Sequence, residues 1–149
     1  WDPVRLAKVE RNYSMNYVHT ILPAMTEVLG PADTRSVATV VGHQIGMQYH
    51  QAVMGVLGDD TPFVVRLARL LGGHGPRSEV DEAGPYPRVR LTDWRLFDPS
   101  SVHPVVFDSW NSLWEGLATM DDRRLVVHRR LDLGDPVFEW EVRGGSELG

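Results

Sequence analysis

The last third of the chain changes from a helical to an alternating pattern of hydrophobic residues. Between Pro104 and Asp121 apolar residues recur at spacings of three and four, which places them on one face of an α-helix. These residues are Val106, Trp110, Leu113, Trp114 and Leu117. Between Leu125 and Val142 apolar and polar residues largely alternate on both sides of a Gly134-Asp135-Pro136 turn. The pattern predicts a helix followed by a β-hairpin with one apolar and one charged face.

The charged face of the predicted hairpin contains residues of both signs. Glu139 and Glu141 should lie opposite the side of the other strand that carries His128 and Arg130. Opposite charges on neighbouring strands attract one another, so such pairs help to fix the register. We therefore expect charge pairing across the strands on the exposed face.

The first half of the chain has helical spacing of its apolar residues. A first helix is predicted from a cap at Asn12 or Ser14 to Gly30, where glycine and the following proline end it. Pro23 lies inside this stretch and should kink or divide the helix. A second helix is predicted from residue 33 or 34 to about residue 57, and a short third helix from Phe63 to Leu71.

Residues 74–96 are predicted to form a loop followed by a strand. Residues 74–87 are rich in Gly, Pro and acidic residues, which favours a loop. A strand is predicted over 88–96 because Val89 and Leu91 alternate with Arg88 and Arg90. Together the elements predict an α+β fold in which N-terminal helices pack on an antiparallel sheet that includes the C-terminal β-hairpin. We expect residues 1–149 to form a single small-molecule-binding domain.

Composition and charge narrow the classes of partner. The chain has 149 residues, of which 42% are hydrophobic, enough for one domain with a substantial core. Its net charge of -5 argues against a nucleic-acid or anionic-membrane partner, because such partners require a concentrated positive field. No apolar run approaches the roughly 20 residues that span a bilayer. The four arginines at positions 123, 124, 129 and 130 are interpreted as edge charges that discourage aggregation.

The absence of cysteine excludes disulfides, thiolate metal sites and cysteine nucleophiles. With no recognisable secretion signal in the sequence, a cytoplasmic location is expected. His43 and His50 are seven residues apart, so they cannot chelate one metal as an i, i+4 pair does. We accordingly expect no metal and no cofactor.

The second helix contains an unusual combination of glycine, histidine and methionine. Gly42 and Gly46 are four residues apart and share a face, although each mid-helix glycine costs on the order of 1 kcal/mol relative to alanine. Close packing of another backbone or access of a ligand would compensate. A second face carries His43, Met47, His50 and Met54. It either lines a pocket, with a histidine as proton donor or acceptor, or packs under a sheet as ordinary core.

Other candidate residues lie in the second half of the chain. Asp93, next to Trp94, occupies a position of the strand pattern that suits an apolar residue. If its carboxyl group is buried, it could act as a general base. The alternative is that Asp93 lies at the end of the strand and has no catalytic role. His103 precedes a helix N-terminus, where it could assist anion binding or belong to a capping loop. Trp110 and Trp114 are either pocket wall or core.

The span from Val89 to Val142 resembles the closing part of the L-2-amino-thiazoline-4-carboxylate hydrolase family, which is related to the vinyl-4-reductase domain. The resemblance rests on the strand, the Pro-containing loop, the helix with Leu-Trp-Glu-Gly-Leu at 113–117, and the terminal segment 131–142. It implies a small-molecule pocket. Members commonly carry a cysteine where this chain has Phe138, and a Cys-Pro pair where it has Asp93-Trp94-Arg95. A thiol-dependent step is therefore not implied for this chain.

Two functions are predicted. The first is a small-molecule tailoring enzyme, or a subunit of one, that uses His/carboxylate acid–base chemistry in specialised metabolism, including heteroatom ring opening or closure. The second is a non-catalytic ligand-binding or partner subunit. A histidine and a carboxylate within hydrogen-bond reach in the pocket would favour the enzyme, and an all-apolar cavity the binder. The candidate residues are His43, His50, Asp93 and His103 for catalysis, and Met47, Met54, Trp94, Trp110 and Trp114 for substrate binding.

A homodimer or a heteromer with another protein is also expected. The chain has five tryptophans and two methionine-containing helix faces, which a single domain of this size does not readily cover.

Overall fold

The computed structural model describes residues 2–54, 61–72, 77–92, 103–130 and 137–145. The helices in these ranges are α1 (Pro3–Leu29), α2 (Pro31–Met54), α3 (Phe63–Gly72) and α4 (Pro104–Met120). The strands are β1 (Arg77–Asp81), β2 (Arg88–Thr92), β3 (Arg123–Arg130) and β4 (Val137–Gly144). The prediction of an α+β fold with helices on an antiparallel sheet is confirmed. Within the described ranges, no helix has both the length and the apolar character needed to cross a membrane.

The four strands form one antiparallel sheet in the order β1-β2-β4-β3. Val127 lies opposite Trp140 and His128 lies opposite Glu139, so the predicted alternation of the hairpin is confirmed. Because side chains alternate between the two faces of a strand, this register puts Leu125 and Val127 of β3 on the same face as the buried residues of β4. The predicted turn at residues 134–136 lies outside the described residues.

The core lies between the apolar face of the sheet and the helices α3 and α4. From α4 the buried side chains include Val106, Trp114 and Leu117, and from α3 they include Leu67 and Leu71. Aromatic rings link α4 directly to the sheet. Phe107 stacks on Phe138 at 5.2 Å between ring centroids, and Trp114 meets Trp140 edge-on at 5.3 Å. Such pairs each contribute about 0.5–1.5 kcal/mol beyond burial of their area.

Helix α2 forms a second helical layer against α4, and glycines permit this close approach. A methyl group on Gly42 would lie 2.6 Å from the carbonyl oxygen of Ser109, and one on Gly46 would clash with the backbone of Leu113. Gly116 of α4 lies correspondingly against the backbone of His43. The expectation that close packing compensates for the mid-helix glycines is therefore confirmed.

Two expectations about the boundaries of the elements were wrong, those for the start of α1 and for the loop 74–87. α1 begins at Pro3 instead of at Asn12 or Ser14, because proline at the first helical position needs no backbone hydrogen bond. Pro23 was expected to kink or divide the first helix, and it does not divide it. Strand β1 lies inside the predicted loop 74–87, where backbone pairing with β2 creates it. The predicted ends of the second helix, near 57, and of the strand 88–96 lie outside the described residues.

Candidate functional site

His43 lies beside a half-buried carboxyl group on α4. Burial raises the pKa of Glu115, whereas the hydrogen bond from Asn111 and the positive charge of His43 act in the opposite direction. Asn111 Nδ2 donates to Glu115 Oε1 at 3.1 Å, and its Oδ1 accepts from Trp140 Nε1 at 2.8 Å. A line of hydrogen-bonded polar groups thus connects α4 to the sheet.

His50 belongs to a different cluster, where three helices meet. His50 Nε2 lies 3.0 Å from Oδ2 of Asp121, the residue that caps the C-terminus of α4. Arg66 Nη2 of α3 lies 3.4 Å from the same oxygen. The side chains of His50 and Arg66 are 18% and 10% exposed. This cluster joins the ends of α2 and α4 to α3.

His103 caps the N-terminus of α4. Its Nδ1 accepts a hydrogen bond from the backbone N–H of Val105 at 3.2 Å, and Pro104 follows it as the first residue of the helix. This geometry matches the capping interpretation of His103. Trp114 is 1% exposed and lies between Trp110 and Trp140, so it is core.

The three predicted histidines, His43, His50 and His103, therefore lie at three separate places in the structure. His43 faces Glu115, His50 faces Asp121, and His103 caps α4. None of the three lines either of the two cavities described below. Met47 is exposed on α2. Asp93, Trp94 and the side chain of Met54 lie outside the described residues. The catalytic role of His43, His50, Asp93 and His103 stays a prediction.

An apolar groove of about 260 Å³ lies between α1, α2 and α4. Its lining includes Leu22 and Met25 of α1, Val41 and Ile45 of α2, and Trp110 and Leu113 of α4. Among the described lining residues, Ser109 contributes the one hydroxyl group. Trp110 thus forms part of the wall of a groove whose lining suits an apolar ligand; its role in substrate binding stays a prediction.

A larger, polar groove of about 720 Å³ lies on the face of the sheet that is opposite the helices. The register brings β2, β4 and β3 side by side, so side chains from all three strands meet there. We call it the sheet groove. The polar side chains that line it include Arg88, Arg90, Thr92, His128, Glu139 and Glu141.

Glu139 is held by two arginines of β2 in the sheet groove. Arg90 donates to Glu139 Oε2 through Nε and Nη2, both at 3.1 Å, and Arg88 Nη1 donates to Oε1 at 3.2 Å. Burial alone would raise the pKa of Glu139, but the hydrogen bonds and positive charges of Arg90 and Arg88 lower it overall. The carboxylate is therefore ionised at neutral pH.

Glu141 links a histidine to a third arginine. Arg143 Nη2 donates to Glu141 Oε2 at 2.8 Å, and His128 Nε2 lies 3.2 Å from Oε1. The hydrogen bond from Arg143 lowers the pKa of Glu141; burial opposes this, and the charges of Arg143 and His128 add to it. The Arg143 guanidinium lies 4.4 Å from the centre of the Tyr86 ring, a cation–π contact that fixes its position.

Part of this arrangement was predictable from the sequence. The alternation of the hairpin predicted that His128 and the two glutamates share a face, and His128 and Glu141 indeed lie within hydrogen-bond distance there. The side chain of Arg130 lies outside the described residues. Arg88 and Arg90 were not predicted to join this face, because their approach depends on the pairing of β2 with β4. Their alternation with Val89 and Leu91 was the available signal.

Neither a metal-ion site nor a similar protein indicates the function of the chain. No group of three or more potential ligand residues that could hold a metal ion occurs in the described part of the chain. Compared with family models, curated proteins and solved structures, the chain has no match. Its function is therefore argued from the geometry of the two cavities.

Proposed function

We propose that the chain is a small-molecule enzyme, or a subunit of one, that performs acid–base chemistry on an anionic substrate in the sheet groove. The observation that carries this proposal is the contact between His128 and Glu141 in a cavity of about 720 Å³. A histidine oriented by a carboxylate in a cavity is the arrangement that a general base requires. The apolar groove has no such pair among its lining residues.

His128 is assigned the role of general base. Its Nε2 is engaged by Glu141, so Nδ1 is the ring nitrogen that meets the substrate. Glu141 stabilises the imidazolium that forms when His128 takes a proton. Arg143 fixes the second oxygen of that carboxylate and keeps it ionised. The side chain of His128 is 54% exposed, which gives a substrate access to the ring.

Arg88 and Arg90 are assigned the role of substrate anchor. Guanidinium groups bind carboxylates through parallel N–H donors, and their planar geometry also sets the orientation of the ligand. Both arginines are tied to Glu139, yet their side chains are 35% and 45% exposed. Each guanidinium group therefore keeps N–H donors that a ligand in the groove can reach, and Thr92 adds a hydroxyl group there.

The reaction class proposed is hydrolytic opening of a heterocyclic carboxylate in cytoplasmic specialised metabolism. His128 would take a proton from water, the resulting hydroxide would add to a ring carbon, and the departing ring heteroatom would receive the proton. No cysteine of the protein takes part in these steps. The resemblance to the thiazoline-carboxylate hydrolases makes L-2-amino-thiazoline-4-carboxylate the first substrate to test.

The test combines turnover with binding. Thiazoline and oxazoline carboxylates are incubated with the protein, and ring-opened products are measured by mass spectrometry. His128→Gln should lower turnover by about 10²-fold or more, and Arg90→Gln should mainly raise KM. Glu27→Gln on α1 is the control, because it changes an exposed glutamate on a helix, outside the lining of the groove. Equal turnover in His128→Gln and wild type would refute the proposal, as would an absence of both turnover and carboxylate-dependent shifts of the His128 NMR signals.

A non-catalytic binding subunit is the second candidate, and the almost entirely apolar lining of the groove between α1, α2 and α4 favours it. In that case a neutral apolar fluorescent probe such as N-phenyl-1-naphthylamine should bind near Trp110 and quench its emission. Val41→Phe, which fills the groove, should abolish this quenching while His128→Gln leaves it unchanged. Quenching that persists in Val41→Phe would exclude the groove as the binding place.

A further inference from the structure

Helix α2 is uncharged over most of its length although much of it faces solvent. From Ser36 to Gly58 the sequence contains no Asp, Glu, Lys or Arg. Residues 36–54 of this stretch lie in α2, and many of them are exposed. Helices at the surface of soluble proteins normally carry charged residues on the side away from the core. A solvent-facing helix without charge indicates that the face is covered in the functional state.

The exposed side of α2 lies opposite the residues that pack on α4. Ala38, Gly42 and Gly46 are buried on the inner side. The outer side, which we call the uncharged face, consists of Val37, Val40, Val41, Gln44, Ile45, Met47 and Gln48, all exposed. Val40 is 57% exposed, more than the other apolar residues of this face.

The exposed area is comparable with that of a protein interface. The apolar side chains of the uncharged face expose on the order of 400 Å², which already lies in the range of the largest patch on a typical monomer. The exposed amides of Gln44 and Gln48 extend this surface toward the roughly 800 Å² that each partner buries in a standard interface.

We propose that a second copy of this chain covers the uncharged face and forms a two-fold dimer through α2. Copies with a net charge of -5 repel one another, and the uncharged face is where this repulsion is weakest. The amides of Gln44 and Gln48 both donate and accept hydrogen bonds, so they are complementary to their own copies across a two-fold axis. A strongly charged partner would find no opposite charge on this face.

A small apolar ligand would not replace the second copy. The groove lined by Val37, Val41 and Ile45 lies on the side of α2 next to α1, and neither Val40 nor Met47 belongs to its lining. A molecule in the groove would leave these two side chains in water. The dimer is independent of the proposed chemistry, because the sheet groove lies on the face of the sheet away from the helices.

The test measures molar mass by light scattering and sedimentation equilibrium over a concentration series. The wild-type protein should have about twice the chain mass of 16.8 kDa. Val40→Arg places a charge in the interface of each copy, so self-association should weaken by at least about tenfold. Gln44→Glu adds a charge with almost no change in the shape of the side chain. It is the second variant, to be used if the Val40→Arg protein does not fold. Val80→Arg is the matched control, since Val80 is similarly part-exposed but lies on the edge strand β1.

The results separate the alternatives. Dimers for wild type and Val80→Arg, with monomers for folded Val40→Arg and Gln44→Glu, would support the proposal. A wild-type protein that stays monomeric throughout the series would overturn it, and so would a dimer that both α2 variants leave intact.

Discussion

Gly46→Ala tests directly how α2 and α4 are held together. A methyl group at this position would lie 2.8 Å from the carbonyl carbon of Leu113 and closer still to its oxygen. Carbon atoms in ordinary van der Waals contact are about 3.5–4.0 Å apart. Because the obstructing atoms belong to the backbone of α4, no side chain can rotate away to relieve the clash. The two helices would have to move apart.

The expected change in stability is the difference between two opposing effects. Alanine favours a helix by about 1 kcal/mol relative to glycine. An additional methyl group in a close-packed contact costs about 1–3 kcal/mol, and a clash with backbone belongs at the upper end of that range. The net loss in the free energy of unfolding is therefore about 2 kcal/mol. At roughly 2–4 °C per kcal/mol for a domain of this size, Tm should fall by about 4–8 °C.

Thermal unfolding followed by circular dichroism at one fixed protein concentration measures this effect. Thr39→Ala and Thr39→Gly form the control pair, because Thr39 is an exposed position of the same helix. There the alanine variant should be more stable than the glycine variant by about 1 kcal/mol. If Gly46→Ala also stabilises the protein by that amount, the close contact does not hold the helices together and the reasoning is refuted.

Three further substitutions test polar groups by thermal unfolding. Asn111→Leu removes the acceptor of the Trp140 indole, which should destabilise the protein by about 1–3 kcal/mol. Glu115→Gln should raise Tm at neutral pH, because burial raises the pKa of Glu115 and so disfavours its ionised form. This gain in Tm should shrink as the pH falls through the raised pKa, because the wild-type carboxyl group is then neutral too. Glu141→Gln should lower Tm at neutral pH, since Arg143 lowers the pKa of Glu141, and the loss should disappear as the pH falls through that lowered pKa. A lower Tm for Glu115→Gln at neutral pH, or a Glu141→Gln effect independent of pH, would contradict these assignments.

The elements that the sequence predicted correctly have local hydrophobic patterns. In α4 the spacing of the tryptophans and leucines is visible within a single helix, and in β3 and β4 the alternation continues on both sides of one turn. Strand β1 has no such signal. Val80 is its one β-branched residue, and the strand exists because Val80 and its neighbours pair with β2 around Val89. Pairing of this kind depends on the fold and not on the segment itself.

The candidate site was likewise predictable from the sequence only where its residues lie in one local pattern. His128 and Glu141 are 13 residues apart in one hairpin, so their shared face was predictable. Arg90 and Glu139 are 49 residues apart, and only the order of strands in the sheet brings them together. The face of α2 that contains His43 and His50 was predicted to line one pocket. α4 runs along α2 and places a different carboxylate opposite each histidine, so the two belong to separate clusters.

His103 offers a test of capping against catalysis at one residue. Its Nδ1 accepts from the N–H of Val105 at 3.2 Å, and loss of such a cap costs about 1 kcal/mol, or roughly 2–4 °C in Tm. His103→Ala should show that loss. His103→Asn should recover most of it, because the asparagine side chain caps a helix by the same bond but cannot transfer protons as an imidazole does. A catalytic or anion-binding histidine would behave in the opposite way, with Tm unchanged in both variants and turnover or binding lost in both. Unfolding curves and carboxylate titrations on the two variants decide between these roles.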